Sequence, residues 1–493
     1  MTHARHEHVP TRSATSDAWS AARLRRTAME AGAGIYLGHG GRGWAWAGTE
    51  RSTLVLGPSR SGKTSSLVIP NVLAAPGAVV STSTKPDVLR HTSPARSAAG
   101  WTLLYDPGGN VECPPGVRRV GWSPVNAGST WDGALMMADS MSGAVRPDHG
   151  TDASAETHWS ERATSLLAPL LHAAAIEGAP MSTVLHWVDR HDGADALAIL
   201  ASRTGDPSPP TDVLAGILMT DQREQSGIWS TTSGILGAYR SRAAMASTEP
   251  PFLDAAAFCE GANTLYVCAS GRQQRLFAPL VVGMLSEVRD AAYARADGGC
   301  REPPVLLALD EVANIAPLPD LPALVSEGAG QGLLTLACLQ DLSQGRTRWG
   351  RQADAFLSLF GTTVVLGGIA DVPTLETLSQ VAGEAEIATR TVGRSMGADG
   401  RPHPSVSIST VQRRRLPLDV IARGHQGWAL ALDATNRMGW VALTPAHSTP
   451  PWCDVVRAAA RTAAVRSVTL DPARGWWAPD PGPRSARGVG RPR

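Results

Sequence analysis

The sequence predicts an α/β fold with a mostly parallel sheet and an inserted all-helical block, and three observations support this prediction. An apolar run at 53–56 breaks into a glycine-rich loop that is followed by a helical segment. Further short apolar runs with Gly or Pro at one end recur along the chain. A long stretch with helical spacing separates these runs into two groups. Strand, loop, helix and strand in this order is the beginning of a parallel sheet.

Individual elements follow from these patterns. We predict a short helix at 21–30, and a helix after the glycine-rich loop that is kinked or ends near Pro70. The predicted strands are 35–49, 53–56, 77–83, 101–106, 263–269, 304–309, 332–339, 362–366 and 427–432. The predicted helices of the inserted block are 131–141, 159–177, 181–188, 194–201, 211–225 and 228–245.

The chain divides into five predicted segments. A polar N-terminal tail (1–34) precedes the first part of the α/β core (35–125), and an inserted all-α domain (126–258) follows. The second part of the core (259–445) leads into a Pro/Arg-rich tail (446–493) that we expect to be disordered. The alternative for the helical block is that it belongs to the helices of the core itself.

Composition limits the classes of partner. The 493 residues suffice for two or more domains. Lys+Arg of 45 against Asp+Glu of 44 leaves a net charge of +1, so any contact with DNA must be local. The basic residues are arginines except for Lys63 and Lys85. Because the composition disfavours lysine, we expect both to lie where an ammonium group is needed, near a phosphate site.

Cysteine usage and hydropathy indicate a compartment. The six cysteines include no C-x-x-C pair and several lie in apolar runs, which predicts reduced thiols of a cytosolic protein. The N-terminus lacks the apolar region of a secretory signal, and no stretch has the roughly 18 uninterrupted apolar residues of a transmembrane helix. We therefore expect a cytoplasmic protein.

The segment GPSRSGKT has the G-x-x-x-x-G-K-T pattern of a phosphate-binding loop. Its glycines allow backbone conformations that other residues avoid, so that successive N–H groups turn towards a β-phosphate at the start of the next helix. Lys63 would neutralise the β- and γ-phosphates, and Thr64 would offer its hydroxyl to Mg²⁺. A glycine-rich turn that matches by chance is the alternative. The predicted nucleotide-binding residues are Gly57, Pro58, Ser59, Arg60, Ser61, Gly62, Lys63 and Thr64.

A second motif supplies the acids that such a loop requires. The apolar run PVLLAL ends in Asp310 and Glu311. In NTPases with a phosphate loop, one acid at such a strand end holds Mg²⁺ and a neighbouring glutamate polarises the attacking water. We therefore assign Asp310 to the metal and Glu311 to the general base. The next apolar run ends at Gln340, which is placed to sense the γ-phosphate or the lytic water, with helix entry as the alternative.

Two long segments carry a resemblance to a known family. GPSRSGKTSSLVIPNVLAAPGAVVSTSTKPDV is similar to the phosphate-loop region of type IV secretion coupling proteins, the TraG/TraD-like branch of the FtsK–HerA superfamily of RecA-like motors. DEVANIAPLPDLPALVSEGAGQGLLTLACLQDLSQ resembles the second signature of that family. HWSERATSLLAPLLHAA resembles the start of its inserted all-α domain, and VVLGGIADVPTLETLSQVAGE resembles its later sheet. The resemblance runs from about Gly48 to Leu443.

The resemblance implies a RecA-like P-loop NTPase core and a homo-hexameric ATPase that uses ATP and Mg²⁺. Such proteins bring a relaxase-bound single DNA strand, or protein substrates, to the proteins of a type IV secretion channel. By this analogy Lys63, Glu311 and Gln340 are catalytic, and Thr64 and Asp310 hold the metal. Family members usually carry N-terminal transmembrane helices that this sequence lacks, so we expect membrane contact only through a partner, at the inner face of the cell membrane.

The sequence departs from the family pattern at three places. A Lys-Gly-Glu-like turn is replaced by Lys85-Pro86-Asp87, and Ser83 stands where an acid is common. Ala329 stands where the family often has an arginine. An arginine finger from a neighbouring subunit is worth on the order of 10³ or more in rate. The candidates for a replacement finger are Arg346, Arg348, Arg394 and Arg413–Arg415. Each of them is also explained as a surface or DNA-facing residue.

Three functions remain open at this point. The first is a soluble, ring-forming ATPase that moves DNA in conjugation. The second is an FtsK-like pump for double-stranded DNA, which would usually carry a winged-helix reader; the segment after Pro445 is too short and too poor in apolar residues for one. The third is a nucleotide-binding adaptor for a relaxase or effectors with little turnover, which Ala329 keeps open.

Overall fold

The computed structural model describes residues 20–41, 43–48, 50–145, 153–204, 207–269, 273–396, 402–435, 437–462, 468–471 and 476–479. The first 19 residues of the predicted N-terminal tail and residues 463–467, 472–475 and 480–493 of the predicted C-terminal tail lie outside these ranges. Among the described helices, none combines the length and the apolar character needed to cross a bilayer. The six cysteines are free thiols, as predicted, and four of them are buried.

The strands and helices are numbered in chain order. The strands are β1 (Tyr36–Gly40), β2 (Gly43–Trp46), β3 (Thr53–Leu56), β4 (Val79–Ser83), β5 (Thr102–Tyr105), β6 (Arg118–Arg119), β7 (Thr264–Cys268), β8 (Val305–Leu309), β9 (Leu333–Leu339), β10 (Thr362–Leu366), β11 (Glu384–Met396), β12 (Pro402–Arg414), β13 (Trp428–Asp433), β14 (Met438–Ala442), β15 (Val468–Asp471) and β16 (Trp476–Pro479). The helices are α1 (Ala21–Glu30), α2 (Ile69–Ala74), α3 (Asp87–Ser97), α4 (Pro124–Ala127), α5 (Trp131–Val145), α6 (Ala153–Glu177), α7 (Met181–Arg190), α8 (Ala194–Thr204), α9 (Pro209–Leu218), α10 (Gln222–Ile235), α11 (Arg242–Ala246), α12 (Ala255–Cys259), α13 (Gln274–Asp297), α14 (Val312–Ile315), α15 (Leu321–Glu327), α16 (Leu342–Trp349), α17 (Phe356–Leu359), α18 (Val372–Ala382), α19 (Leu418–Arg423) and α20 (Trp452–Thr462).

A 12-stranded sheet forms the centre of the molecule, in the order β2-β1-β14-β13-β10-β3-β9-β8-β4-β7-β5-β6. The strands from β10 to β6 are parallel, and β13, β14, β1 and β2 add an antiparallel edge. Central strands such as β3 and β8 are buried at every position because helices cover both faces of the sheet. The predicted α/β fold with a mostly parallel sheet is confirmed.

Two hydrophobic cores lie on the two faces of the sheet. On one face, α1, α2, α3 and α20 pack against the strands. On the other face, the core runs without interruption from the sheet through α13 into α5, α6 and α10. The helical block between β6 and β7 therefore shares its core with the sheet. Within the described residues this block contains helices and a single isolated bridge, between Gly121 and Phe252.

Two of the predicted helices in this block have the wrong boundaries. The predicted helix 211–225 is divided between α9 and α10, because Asp221 starts a new helix: its carboxylate accepts hydrogen bonds from the N–H groups of Arg223 and Glu224 at 3.0 and 3.3 Å. The predicted helix 228–245 is also interrupted, since α10 ends at Ile235 and a 3₁₀ turn precedes α11.

The helix after the phosphate loop does not end at Pro70. Residues Thr64–Val68 form a π-helical turn that continues directly into α2. The Asn71 side chain supports this region by donating to the carbonyl oxygen of Leu67 at 2.9 Å. It also pairs with the main chain of Tyr36, accepting from its N–H at 2.7 Å and donating to its carbonyl oxygen at 2.9 Å. Asn71 thus ties the helix after the loop to β1.

The segments predicted as tails are partly folded. In the N-terminal segment, α1 has the predicted bounds and buries Leu24 and Ala28. In the C-terminal segment, α20 buries Trp452, whose ring stacks on that of Trp44 with centroids 5.1 Å apart. The expected disorder after residue 445 is therefore wrong for 452–462. The predicted strand 35–49 is also corrected, since it forms the antiparallel pair β1 and β2 that packs under this helix.

A long hairpin that the sequence analysis did not predict projects between α18 and α19. Strands β11 and β12 pair over 13 residues each, from Glu384 opposite Arg414 to Met396 opposite Pro402. They form a separate two-stranded sheet. Apolar side chains on the hairpin face solvent, including Ile408 at 73% exposure and Val392 at 66%. The hairpin is thus an extension of the core and not part of its main sheet.

Candidate nucleotide-binding site

The phosphate loop leaves the centre of the sheet at the carboxyl end of β3, between β10 and β9. Gly62 has φ +99°, a conformation that L side chains rarely adopt, so the predicted need for glycine holds here. Gly57 is needed for a different reason. A Cβ atom on this residue would lie 2.9 Å from Ser61 Oγ and 3.0 Å from Leu366 Cβ, so close packing excludes a larger side chain.

The Lys63 side chain lies inside the phosphate loop. It is only 8% exposed, and its ammonium group donates hydrogen bonds to the carbonyl oxygens of Gly57 and, at 2.9 Å, of Pro58. Gly57 and Pro58 therefore hold Lys63 within the loop, whereas the residues from Ser59 onward line the cleft. The ammonium lies at the start of the π-helical turn, where a cation complements bound phosphate.

Thr64 and Asp310 are in direct contact. The Thr64 hydroxyl donates to Asp310 Oδ2 at 2.7 Å, although the two residues are 246 positions apart in the sequence. The contact arises because β3 and β8 are parallel and separated only by β9, so their carboxyl ends lie at the same edge of the sheet. The expectation that the glycine-rich loop and the acidic strand end lie together is confirmed by this geometry.

Asp310 has a perturbed carboxyl group. It is only 7% exposed, and its burial raises its pKa above the ordinary value of 3.8. The hydrogen bond from Thr64 opposes this shift, Glu311 adds to it by charge repulsion, and Lys63 and Lys85 lower the pKa. A buried carboxylate of this kind gains more from a bound cation than an exposed one would, because water screens it less.

Glu311 follows in a strained conformation. Its backbone is left-handed, with φ 56° and ψ 51°, which is uncommon for a residue with a long side chain. Its carbonyl oxygen accepts hydrogen bonds from the N–H groups of Asn314 at 2.9 Å and Ile315 at 3.2 Å, which begin α14. The strand therefore turns sharply at Glu311, and this residue, like Asp310, lines the cleft.

The cleft between these elements has a volume of about 340 Å³. Loop residues 59–65 form one wall, and Asp310 with Glu311 forms another. The third wall is the turn after β4, with residues 83–85 and Asp87. Lys85 thus lies in the same cleft as Lys63, which confirms the expectation from their rarity. The rarity of lysine in the sequence predicted that Lys85 lies in this wall. It did not predict Thr84 or Asp87.

Gln340 is not among the residues that line the cleft in the described part of the chain. It lies at the carboxyl end of β9, between β3 and β8, and is exposed. Its main-chain N–H donates to Gln344 Oε1 at 3.0 Å. The strand position agrees with the predicted sensor, but its role stays a prediction.

Among the candidate finger arginines whose side chains the structure describes, none lines this cleft in the same chain. Arg346 pairs with Asp354 at 3.0 Å and with Asp371 at 3.5 Å. Arg415 donates to the carbonyl oxygen of Glu384 at 3.0 Å. The side chain of Arg394 lies outside the described residues. Among the described residues, the candidates that do not line the cleft are Arg346, Arg348, Arg413, Arg414 and Arg415.

Comparison with known proteins identifies the second half of the core. Residues 304–425 match the family model described as the TraM recognition site of TraD and TraG. This region contains β8 with its two acids, β9, β10 and the β11–β12 hairpin. This region of the chain is therefore similar to TraD and TraG. No curated protein matches it by sequence.

Solved structures extend this TraG/TraD-like similarity to the fold of the whole chain. The bacterial conjugative coupling protein TrwBΔN70, in its unbound monoclinic form, matches with a TM-score of 0.64 and 19% identity over 86% of this chain and 92% of that one. TrwB in complex with the GTP analogue GDPNP gives a TM-score of 0.61 at 18% identity, over 86% and 92% of the two chains. TrwB with ADP and Mg²⁺ gives 0.60 at 20%, over 80% and 85%. The chain therefore has the fold of TrwB.

Proposed function

We propose that this TraG/TraD-like chain is an ATP-hydrolysing coupling protein. It recruits DNA, as a relaxase-bound single strand, or a protein substrate, and drives it to a type IV secretion channel. The observation that carries this proposal is the 2.7 Å hydrogen bond between Thr64 and Asp310, which unites the phosphate loop with the acidic strand end in one cleft. The binding of ADP with Mg²⁺ by TrwB, a protein of the same fold, supports the same conclusion.

In the proposed mechanism the loop holds the nucleotide. The main-chain N–H groups of the loop after Pro58, within residues 59–64, would surround the β-phosphate, and Lys63 would exchange its carbonyl partners for the β- and γ-phosphates. Thr64 and Asp310 would hold Mg²⁺, which supplies charge neutralisation to the triphosphate. The burial that raises the pKa of Asp310 supports this role, because a bound cation would compensate for the hydration that the buried carboxylate has lost.

Glu311 is the proposed general base, and Gln340 is proposed to position the attacking water. Glu311 directly follows Asp310, the proposed metal-binding acid, at the end of a buried strand, and its backbone is left-handed. Strain that persists at one residue is typical of sites where geometry serves a chemical step. The active form is proposed to be a homo-hexamer, with an arginine from the adjacent subunit completing the site in place of Ala329.

ATPase assays of three proteins test this function. We expect the wild type to hydrolyse ATP, faster with single-stranded DNA than without it. Lys63→Ala should lose both nucleotide affinity and turnover, because it removes the ammonium from the loop. Glu311→Gln should keep nucleotide affinity and lose about 100-fold or more in turnover, since a general base contributes about 10²–10⁴.

Glu260→Gln is the control, since Glu260 is an exposed glutamate at the end of α12, outside the cleft. It should match the wild type in every assay. Turnover that does not depend on Lys63, with or without DNA, would contradict the ATPase proposal. Nucleotide binding without such turnover would leave the adaptor function.

A further inference from the structure

A second polar cavity lies beside the nucleotide cleft. It has a volume of about 310 Å³ and is formed where four elements meet: the last turn of α5, the first turns of α13, the α14 segment with the loop after it, and α16. Three of these elements follow the carboxyl ends of β7, β8 and β9. The cavity therefore opens at the same edge of the sheet as the nucleotide cleft, at the junction with the helical block.

The lining of this cavity is positively charged. It includes Arg275 and Arg348 and, within the described part of the chain, no carboxylate. Arg348 donates to the main-chain carbonyls of Gly143, at 3.4 Å, and of Ala144, so its charge is held at the wall by the end of α5. Arg275 is exposed on the first turn of α13. A pair of guanidinium groups without an acid favours an anionic ligand.

The rest of the lining consists of neutral polar residues and of five apolar ones, which are Ala144, Val145, Ala278, Ala313 and Pro317. Asn314, Gln344 and Thr347 contribute amide and hydroxyl groups that can donate and accept hydrogen bonds. Arginines for phosphate together with amides for sugar or base edges are the combination that nucleic acids require of a binding surface. A small inorganic anion would use only the arginines.

Two connections join this cavity to the nucleotide cleft. The first is the α14 segment: Glu311 lines the cleft, Asn314 lines the cavity, and the Asn314 N–H donates to the Glu311 carbonyl oxygen at 2.9 Å. The second is α16, where Gln344 lines the cavity and its Oε1 accepts from the Gln340 N–H at 3.0 Å. A ligand that moves either wall therefore also moves a residue with a proposed role in hydrolysis.

We propose that this cavity binds the phosphodiester backbone of a single nucleic-acid strand and transmits strand binding to Glu311 through α14. The proposal rests on the proposed coupling function and gives it a location. Arg275 and Arg348 bind phosphate groups of the strand. Asn314 and Gln344 transmit strand binding to Glu311 after β8 and to Gln340 after β9.

Strand binding by the full-length chain tests the proposal. A fluorescent oligo-dT of about 20 nucleotides is titrated at several salt concentrations, with the wild type and Arg275→Gln. Loss of one phosphate contact on a single strand should reduce the slope of log affinity against log salt by about 0.7. Arg275→Gln should bind the strand about 3- to 10-fold more weakly at low salt, and its ratio of ATPase rates with and without the strand should fall. Arg275→Lys keeps the charge and should restore the slope.

Arg351→Gln is the matched control, because Arg351 is an exposed arginine just after α16 that does not line the cavity. It should bind the strand as the wild type does. Equal strand affinity and equal salt slope in Arg275→Gln and Arg351→Gln would overturn the proposal, while Lys63-dependent hydrolysis would keep the proposed function in place. Inorganic phosphate that binds in an Arg275-dependent manner, with oligo-dT affinity unaffected by Arg275→Gln, would also overturn it by identifying a small-anion site.

Discussion

Arg96 on α3 is fully buried, and main-chain carbonyl oxygens hold its guanidinium in place of a carboxylate. Its donors reach two segments, 75–77 before β4 and 262–264 before β7, at 2.6 to 3.1 Å. Burial lowers its pKa to about 10, so it remains charged at neutral pH. Arg96 therefore links the segment before β4 to the segment that leads from the helical block into β7.

Glu287 on α13 is a partly buried acid, and its partner is an indole. Its Oε2 accepts a hydrogen bond from the indole N–H of Trp122 at 2.7 Å. Burial raises its pKa from 4.5 to about 7, against the effect of that hydrogen bond, and Asp290 and Asp254 add smaller increases. The folded protein therefore keeps a proton on Glu287 at pH values where the unfolded chain has lost it.

Glu287→Gln should change the pH dependence of stability. Since the folded state binds the extra proton between about pH 4.5 and 7, the wild type should lose stability as the pH rises through this window. Glutamine can still accept from Trp122 but does not ionise, so the variant should be more stable than the wild type above pH 7, by about 3 kcal/mol. Urea unfolding from pH 4 to 8 measures the difference.

Asp297→Asn, an exposed acid at the end of the same helix, is the control and should leave the pH profile unchanged. A Glu287→Gln profile parallel to that of the wild type would show that Glu287 ionises alike in the folded and unfolded chains.

At the scale of elements, the clearest difference from the sequence prediction is α20. Its first residue, Trp452, is fully buried and packs edge-on against Tyr36 as well as stacking on Trp44. The Pro, Gly and Arg content around this helix indicated disorder, because composition does not reveal that a few apolar residues meet a complementary surface far away in sequence. The element closes the α1 and α2 face of the sheet.

Trp452→Ala should lower the melting temperature, because it leaves a cavity in the core beneath α20. Removing a buried tryptophan costs about 3–5 kcal/mol. Trp428→Ala is the matched control, since Trp428 is 45% exposed at the start of β13, and it should change the melting temperature far less. Calorimetry measures both melting temperatures. Equal values for the two variants would show that 452–462 does not contribute to the stability of the fold.

The sequence predicted the central strands well because parallel strands buried on both faces are continuous apolar runs. The predicted strand 362–366 matches β10, and 304–309 differs from β8 by one residue. The hairpin β11–β12 lacks such a signal, since Ser, Thr and exposed valine alternate along it. In the site, the loop and both acids were predictable from spacing, whereas the Lys63 hydrogen bonds to loop carbonyls depend on a folded turn.

At the scale of the whole molecule, the helical block and the sheet share one hydrophobic core. A long helical interval between strands in the sequence suggests a separate domain, but the pattern does not show whether the interval packs on the strands. A shared core opposes independent unfolding, because opening the block would expose apolar surface of α13 and of the sheet.

Native-state hydrogen exchange tests this coupling. Amides in the middle of α6, in the helical block, should exchange with the same free energy of opening as amides in β8, in the sheet. An independent domain would show two distinct levels, so a lower plateau confined to the whole block would contradict a common unfolding unit. Amides of the β11–β12 hairpin serve as the internal reference and should exchange with a lower free energy, since little of the chain packs on it.

The β11–β12 hairpin is long compared with the size of the molecule. Thirteen residues in an extended strand cover about 43 Å, whereas a compact chain of 493 residues has a radius of gyration of about 23 Å. The described side chains of this arm are largely exposed, so a neighbouring molecule can contact it along both strands. Copies of the chain that pack side by side must therefore accommodate the arm.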